Sequence, residues 1–512
     1  MPVCGRVQSC AAVPARNTTA QNRDPPRARN RNPGPGLDIG PPVPRSRSAL
    51  LGQNAGVRIL HAIHDFLPRH RAGSEIYAAE LCRELGARHH VTLLCAEYDP
   101  SRAHGHLTWR EHDGLPVVEM VNNWIAASLA DTYASPLLTA RIGQVLDAVE
   151  PEIVHAHSFL NLSFELAALA HARGIPIVAT LHDYTLVCPS GGQRLHRAES
   201  HVCHTIDTAR CVRCFQQSPF YTQMAVGPAA AAVASSGLLQ RLVGVARRVS
   251  PGLVQTAARA AGEVRRVPVT EADIAARLAH ARRLFEQVDL FVAPSPSIAQ
   301  EFTKLGLDPK RIKVSDYGFR PAPARPRVRR EGPLQIGFVG TLVWHKGVHV
   351  LIEAARRLDP SAFELVLYGD LNTFPDYVAE LRRLAEGLPV HFKGGFDSTS
   401  TSDIYGQFDV LVVPSLWLEN SPLVIHEAFQ AGVPVVGSRM GGTVDLVRHG
   451  EWGLVYEANS PDALAGALRS ILADPRVLDE WRARLPEVKS IAADALEWEA
   501  TYQQFIAAPA RA

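Results

Sequence analysis

The stretch Val413–Gly442 reads VPSLWLENSPLVIHEAFQAGVPVVGSRMGG, and its punctuation decides the local fold. The run DVLVVP closes on Pro414 and gives way to a short polar loop holding Glu419. Ser421 and Pro422 have the chemistry of a helix N-cap and a first helical residue, since proline loses nothing where the N–H has no partner. The helix then carries Glu427 and stops at Gly432, a residue suited to a left-handed C-cap, before VPVV begins a new buried strand. One carboxylate thus sits on a loop at the carboxyl end of a strand and the other inside the following helix. Between them lie the free N–H groups of the helix start, around Leu423 and Val424. Carboxylates accept from hydroxyls, and helix N–H groups with their dipole hold phosphate, so the unit suits a polyhydroxylated anion. The competing reading is an ordinary strand–helix–strand unit with two solvated glutamates.

Outward from this unit, the 512 residues are too many for one core, and two domains with appendages are expected. A chain that is 46% hydrophobic and 20% charged has the make-up of an ordinary soluble globular protein. Its net charge of +2 argues against a nucleic-acid partner. No run of about 18 strongly apolar residues reads as a spanning helix. Residues 1–56 differ in kind. They are rich in Pro, Arg, Asn and Gly, with too few aliphatics to offset the entropy of ordering, and are expected to be a disordered tail. They also lack the apolar core of a secretory signal, so no export is implied, and a misassigned start is an alternative account of them.

From Val57 the pattern becomes that of a doubly wound α/β domain. VRILHAI is a buried strand, HDFLPRHRAGSE a loop, and Glu75–Gly86 a helix, followed by a strand at His90–Ala96. Ala72-Gly73-Ser74 supplies only a weak glycine signal, and no G-x-G-x-x-G is present, which disfavours a nicotinamide enzyme. Further strands are expected at Pro116–Met120, Ile153–His155 and Ile175–Leu181, with helices near Ala140–Val149 and Asn161–Arg173. The last strand runs into Thr180-Leu181-His182-Asp183. A histidine there points into the crevice where open α/β sheets bind ligands, although a purely structural imidazole fits the spacing equally well. His155 and His157 form a similar strand end.

Cys188, Cys203, Cys211 and Cys214 follow at once, four of the eight cysteines in the chain, and end in C-x-x-C. A structural zinc site is one reading of this set; reduced thiols or a redox-sensitive pair are the others. Residues 224–287 read as helices rich in Ala and Arg. RPAPARPRVRREG, Arg320–Gly332, is a Pro/Arg linker and marks the domain boundary. Beyond it the logic repeats. LQIGFVG is a strand, TLVWHKG a loop, VHVLIEAARRL a helix, and FELVLYG, PVHFKG and DVLVVPS are further strands. Lys346 lies between a strand end and a helix start, flanked by Gly340 and Gly347, where an ammonium meets a phosphate. A final helix at Ala493–Ile506 offers Leu496, Trp498, Tyr502 and Phe505 for packing, but spacing does not name its target. The expected organisation is a tail (1–56), a first Rossmann-like domain (57–320) with a cysteine insertion (184–220) and helical segment (224–287), a linker (321–332), a second Rossmann-like domain (333–480) and a C-terminal helical segment (481–512).

With these residues in view, the chain strongly resembles the retaining glycosyltransferases of family 4, which have the GT-B fold. Glu419 and Glu427 match that family's E-x7-E element, Lys346 the lysine of its G-x-x-x-x-K-G loop, and Thr180–Asp183 its first-domain histidine motif. Phe66–Glu75 stands in place of the glycine-rich first loop, and the cysteine insertion looks like one found in a subset of the family. Three positions depart from the pattern: Thr341 where a basic residue is common, Ala72-Gly73 where paired glycines are common, and Asp445 where a glutamate is common. The resemblance implies transfer of a sugar from a nucleotide-diphosphate-sugar donor to an acceptor hydroxyl, with His182, Glu419 and Lys346 catalytic. Gly340, Thr341, Lys346, Ser421, Leu423, Val424 and Glu427 would bind donor and nucleotide, and Ala72, Gly73 and Ser74 an acceptor or phosphate. No cofactor is required for catalysis. The acceptor would be a glycan or lipid-linked sugar of bacterial polysaccharide or glycolipid biosynthesis, and the enzyme would be cytoplasmic. Arg69, Arg71, Arg241, Arg247 and Arg248 would be either solvated charge or a peripheral contact with the membrane's inner face. A GT-B-like sugar-nucleotide epimerase and a non-catalytic sugar-nucleotide-binding protein are the alternatives.

Overall fold

The computed structural model describes residues 56–235, 267–321, 332–396 and 401–507. The expected tail and the middle of the Pro/Arg linker lie outside these residues, as do Arg241, Arg247 and Arg248. In chain order the first part contributes β1 (Arg58–Ile63), β2 (His90–Glu97), β3 (Leu107–His112), β4 (Leu115–Val121), β5 (Ile153–Ala156), β6 (Ile177–Thr180), β7 (Leu195–His196), β8 (His201–Val202), β9 (Leu290–Ala293) and β10 (Ile312–Val314). All but the β7–β8 hairpin form one sheet in the order β10-β9-β6-β5-β1-β2-β4-β3. Every neighbouring pair in it is parallel except β3 with β4.

The second part contributes β11 (Leu334–Val339), β12 (Phe363–Tyr368), β13 (Val390–Gly394), β14 (Val410–Val413), β15 (Val435–Ser438) and β16 (Gly453–Tyr456), in the order β13-β12-β11-β14-β15-β16. This sheet is parallel throughout. The sequence reason is common to both sheets. Helices cover both faces, so strands such as RILHAI and VLVV are apolar on both sides, and successive residues feed opposite cores. In β1, Leu60 and Ala62 enter one core while Ile59 and Ile63 enter the other.

Four differences from the sequence reading have local causes. The strand expected at Pro116–Met120 is the second arm of a hairpin, because Asp113 and Gly114 both take positive φ (50° and 80°), as the tight D-G turn requires. The helix expected over Asn161–Arg173 is regular only over Leu166–His171. Asn161 is left-handed (φ 61°), and the Ser163 hydroxyl accepts from the Glu165 N–H, so the chain turns before the helix starts. Ser421 does not cap its helix; the cap position is Pro422, one residue later. In the final helix, Ile491–Ile506, Leu496 is exposed, whereas Trp498 and Tyr502 are buried.

That final helix returns to the first domain. Ile491, Ala495, Trp498 and Tyr502 share a core with β1, β2 and the helix Gly73–Gly86. The Trp498 indole N–H donates to the Tyr77 hydroxyl at 3.0 Å, and Tyr77 donates to Asp494 at 2.8 Å. The two chain crossings between domains run side by side: Phe319 N–H donates to Lys489 C=O, and Ile491 N–H donates to Phe319 C=O, at 2.9 and 2.8 Å. No described helix is long and apolar enough to cross a membrane.

Candidate active site

In the second sheet, β11 pairs with β12 on one side and β14 on the other, so the winding direction reverses between β11 and β14. Ligands of open α/β sheets bind outside the carboxyl ends of the strands at such a point. The loops leaving those two strands carry Lys346 and Glu419. Gly347, at φ 71°, turns the first loop into the helix Val348–Ala355, and a Cβ there would lie 1.9 Å from Pro414 O. Only a glycine lets the two loops press together at that point. The result is an ion pair: Lys346 Nζ donates to Glu419 Oε1 at 2.7 Å, and the Ser415 hydroxyl donates to the same oxygen at 2.5 Å. The ammonium also lies 5.2 Å over the Trp417 ring. Glu419 is 3% exposed, and those donors supply hydrogen bonds that solvent does not.

The helix Leu423–Gln430 starts beside this pair with no side-chain cap. The Ser421 hydroxyl prefers a charged partner, donating to Asp316 Oδ1 at 2.6 Å, and lies 2.9 Å from His426 Nε2. Opposite stands the start of the helix Gly73–Gly86, where a Cβ on Gly73 would come within 2.9 Å of Leu423 Cδ1. Two helix N-termini from opposite domains therefore converge on one spot, and both dipoles favour an anion there. Glu427 faces inward one turn along, with its carboxylate accepting from the Tyr405 hydroxyl at 2.6 Å. Burial pushes the Glu427 carboxyl up, against the lowering effect of Tyr405. Thr341 is exposed, and Gly340 adopts φ 151°.

The first sheet has its own reversal between β1 and β5, and its loops supply the opposing wall. His64, just after β1, lies 3.3 Å from Glu75. Burial opposes its charge, but the Glu75 hydrogen bond and the Asp65, Glu75 and Asp183 charges hold the imidazole up at about 9. Ala72 N–H and the Ser74 hydroxyl both donate to the other Glu75 oxygen, each at 3.1 Å. The Gly73 loop is thus held by a charged His64–Glu75 pair.

His182 sits at the end of a chain of rings. His61 Nδ1 is 2.9 Å from His157 Nε2, His157 Nδ1 is 3.0 Å from His182 Nε2, and His182 Nδ1 is 2.8 Å from the Tyr317 hydroxyl. Burial lowers His61 and His182 to about 3 and drives His157 well below its usual range, so all three are neutral. His61 Nε2 is buried without a partner. A buried donor lacking an acceptor is the rarer defect, so the proton belongs on His61 Nδ1. The same assignment then passes along the chain and places the His182 proton on Nδ1, aimed at Tyr317. Both ring nitrogens are spent inside the domain. It is the His182 carbonyl that reaches across, accepting from the Asn420 side-chain amide of the other domain. The His182 imidazole, expected to be catalytic, is thus held between His157 and Tyr317.

The family described as "Glycosyltransferase Family 4" matches residues 71–214, and that described as "Glycosyl transferases group 1" matches residues 322–487. The chain belongs to the family 4 type of GT-B glycosyltransferases. Glycogen synthase of Mycobacterium tuberculosis is 33% identical over 199 residues, covering 38% of this chain and 47% of that protein. D-inositol 3-phosphate glycosyltransferase of Corynebacterium glutamicum is 36% identical over 220 residues, covering 38% of this chain and 51% of its own. The chain thus spans about half the length of the curated relatives it matches. Among solved structures, Anabaena HepE in complex with UDP and glucose aligns with TM-score 0.55 at 18% identity, over 87% of this chain and 99% of that one. Sucrose-phosphate synthase from Thermosynechococcus elongatus aligns with TM-score 0.56 at 19% identity, over 88% and 99%. These likenesses establish the GT-B fold.

Several family 4 features of this chain now have a structural setting. Asp445, where a glutamate is common, accepts from the Ser297 N–H of the first domain at 2.9 Å, at the start of the helix Pro296–Lys304. Arg69 pairs with the buried carboxylates of Glu97 and Glu119. Cys188, Cys203, Cys211 and Cys214 line one small cavity and form no disulfide. The sequence reading missed His64, Tyr317, Asn420 and Arg277. Arg277, buried, donates to the carbonyls of Thr185 and Leu186 and so fixes the loop after His182. Asn420 adjoins Glu419 and was open to notice; the other three are found only through contacts distant in sequence.

Proposed function

We propose that the chain transfers a sugar from a nucleotide-diphosphate-sugar to an acceptor hydroxyl with retention of anomeric configuration. The observation that carries this reading is the Lys346–Glu419 pair beside two converging helix N-termini. In the free protein, cation and carboxylate satisfy each other. A diphosphate sugar offers each a better partner: phosphate for the ammonium and the helix starts, hydroxyls for Glu419. Stabilising the departing diphosphate is the main catalytic demand, and Lys346 with the N–H groups near Leu423 and Val424 meets it. Glu427, hydrogen-bonded to Tyr405, would take the nucleoside's hydroxyls, and the Gly73 loop would close over the phosphates. A diphosphate leaves without a general acid, so the paired-acid scheme of glycosidases is not needed.

The UDP and glucose in the HepE structure support this class of donor, and glycan or lipid-linked hydroxyls are the proposed acceptors. The proposed setting is cytoplasmic polysaccharide or glycolipid synthesis, with peripheral membrane contact through a lipid-linked acceptor. The test is a donor screen by nucleotide release, followed by mass analysis of the glycosylated acceptor. Sugar isomerisation with no acceptor present would point to an epimerase instead, and nucleotide binding without turnover to a binding protein.

A further inference from the structure

The insertion after His182 builds little core of its own. Its strands β7 and β8 are two residues each, and the helix Thr208–Gln216 buries only Phe215. Segments so poor in apolar contact need a covalent or metal staple to hold one shape. Four thiols are positioned for that role. Cys188 ends the loop from His182, Cys203 follows β8, and Cys211 and Cys214 stand one turn apart on the helix. Three separate segments thus bring four cysteines to the walls of a single cavity, and none of the four is in a disulfide.

We infer that Cys188, Cys203, Cys211 and Cys214 are the ligands of a structural zinc ion that fastens the insertion to the wall of the cleft. Four thiolates and no fourth-position water make a closed tetrahedral set, the kind that stabilises a fold without taking part in chemistry. Binding releases one proton from each thiol to solvent, with no change of oxidation state. Among the described residues, the one trio of ligand atoms within 4.8 Å of each other is that of His61, His155 and His157. Those rings are already hydrogen-bonded: His155 to the Tyr502 and Thr180 hydroxyls, His61 and His157 to each other. No three of the four sulfurs lie within 4.8 Å of one another, and zinc, at about 2.3 Å from each, draws the three segments together.

The consequence reaches the cleft. Gln193 Nε2 lies 3.5 Å from His345 Nε2, and the Arg197 guanidinium lies 5.6 Å over the Trp344 ring, so the insertion braces the loop that presents Lys346.

The experiment is elemental analysis of the full-length protein purified under reducing conditions without chelator. About one equivalent of zinc is expected, with four thiols protected from alkylation until a strong chelator is added. The double variant Cys211→Ser/Cys214→Ser should purify without zinc and with a lowered melting temperature. Less than about half an equivalent of zinc, iron in its place, or a disulfide among the four by mass would overturn the assignment. If the double variant does not fold, the wild-type stoichiometry and the chelator-dependent alkylation decide the matter alone.

Discussion

The Tyr317 hydroxyl stands 2.8 Å from Nδ1 of His182, with the two rings stacked 12° from parallel at 5.2 Å. Tyr317 lies on the segment that leads out of the first domain, so the histidine of the sequence motif is fixed by the crossing between domains. Removing the hydroxyl leaves the ring stack but strands a buried His182 N–H. Tyr317→Phe is expected to cost about 1–3 kcal/mol of stability. Sugar transfer should fall with it, while nucleoside-diphosphate affinity is retained. A variant with unchanged melting temperature and unchanged rate would show that the hydroxyl does not hold the ring.

Lys346 and Glu419 compete with the ligand for each other. Glu419→Gln frees the ammonium, so binding of a nucleoside diphosphate without sugar should tighten by about 1 kcal/mol, roughly fivefold. Turnover of the intact donor should drop by roughly 10²–10³-fold. Lys346→Ala should weaken the diphosphate and slow transfer together. Calorimetry with the nucleotide alone separates the two variants, and weaker binding by Glu419→Gln would refute the exchange.

The His64–Glu75 pair gives stability a pH signature. His64 is raised from 6.5 to about 9, so its contribution is complete below pH 6.5 and disappears as pH rises through about 9. Burial would raise the Glu75 carboxyl, but the His64 hydrogen bond and charge bring it from 4.5 to about 2. Its contribution is complete above pH 4.5 and is lost as pH falls through about 2. Wild type and His64→Gln should therefore differ most in denaturant midpoint between pH 4.5 and 6.5, and converge above pH 9. A difference that grows toward alkaline pH would contradict the pairing.

Trp498 fills the first domain's core from the far end of the sequence, and its ring lies 4.1 Å from that of His155. Trp498→Ala is expected to cost about 3–5 kcal/mol. The loss should appear in unfolding of the first domain, followed by hydrogen exchange in β1 and β5, with the second sheet protected as before. Equal loss of protection in both sheets would place the helix elsewhere.

Most strands of both sheets were legible because parallel, doubly covered strands are written as unbroken apolar runs between Gly, Pro and polar loops. Lys346 and Glu419 were legible for the same reason, since each follows such a run directly. The hairpin arm β3 was not, although D-G at Asp113-Gly114 announces its turn; only its partner read as a strand. Ser421 misled because capping statistics weigh local hydrogen bonds, and the deciding acceptor, Asp316, is brought in from the other domain. The His61–His157–His182–Tyr317 chain joins four segments, and no periodicity in one of them points to the other three.

The helix Ile491–Ile506 also makes one domain depend on both ends of the sequence. Everything the second sheet needs is synthesised before Ile491, whereas the first domain lacks Trp498 and Tyr502 until the ribosome has passed them. The domain that leads the sequence thus has a core that needs both ends of the fold, with the last described helix packed against β1 and β5.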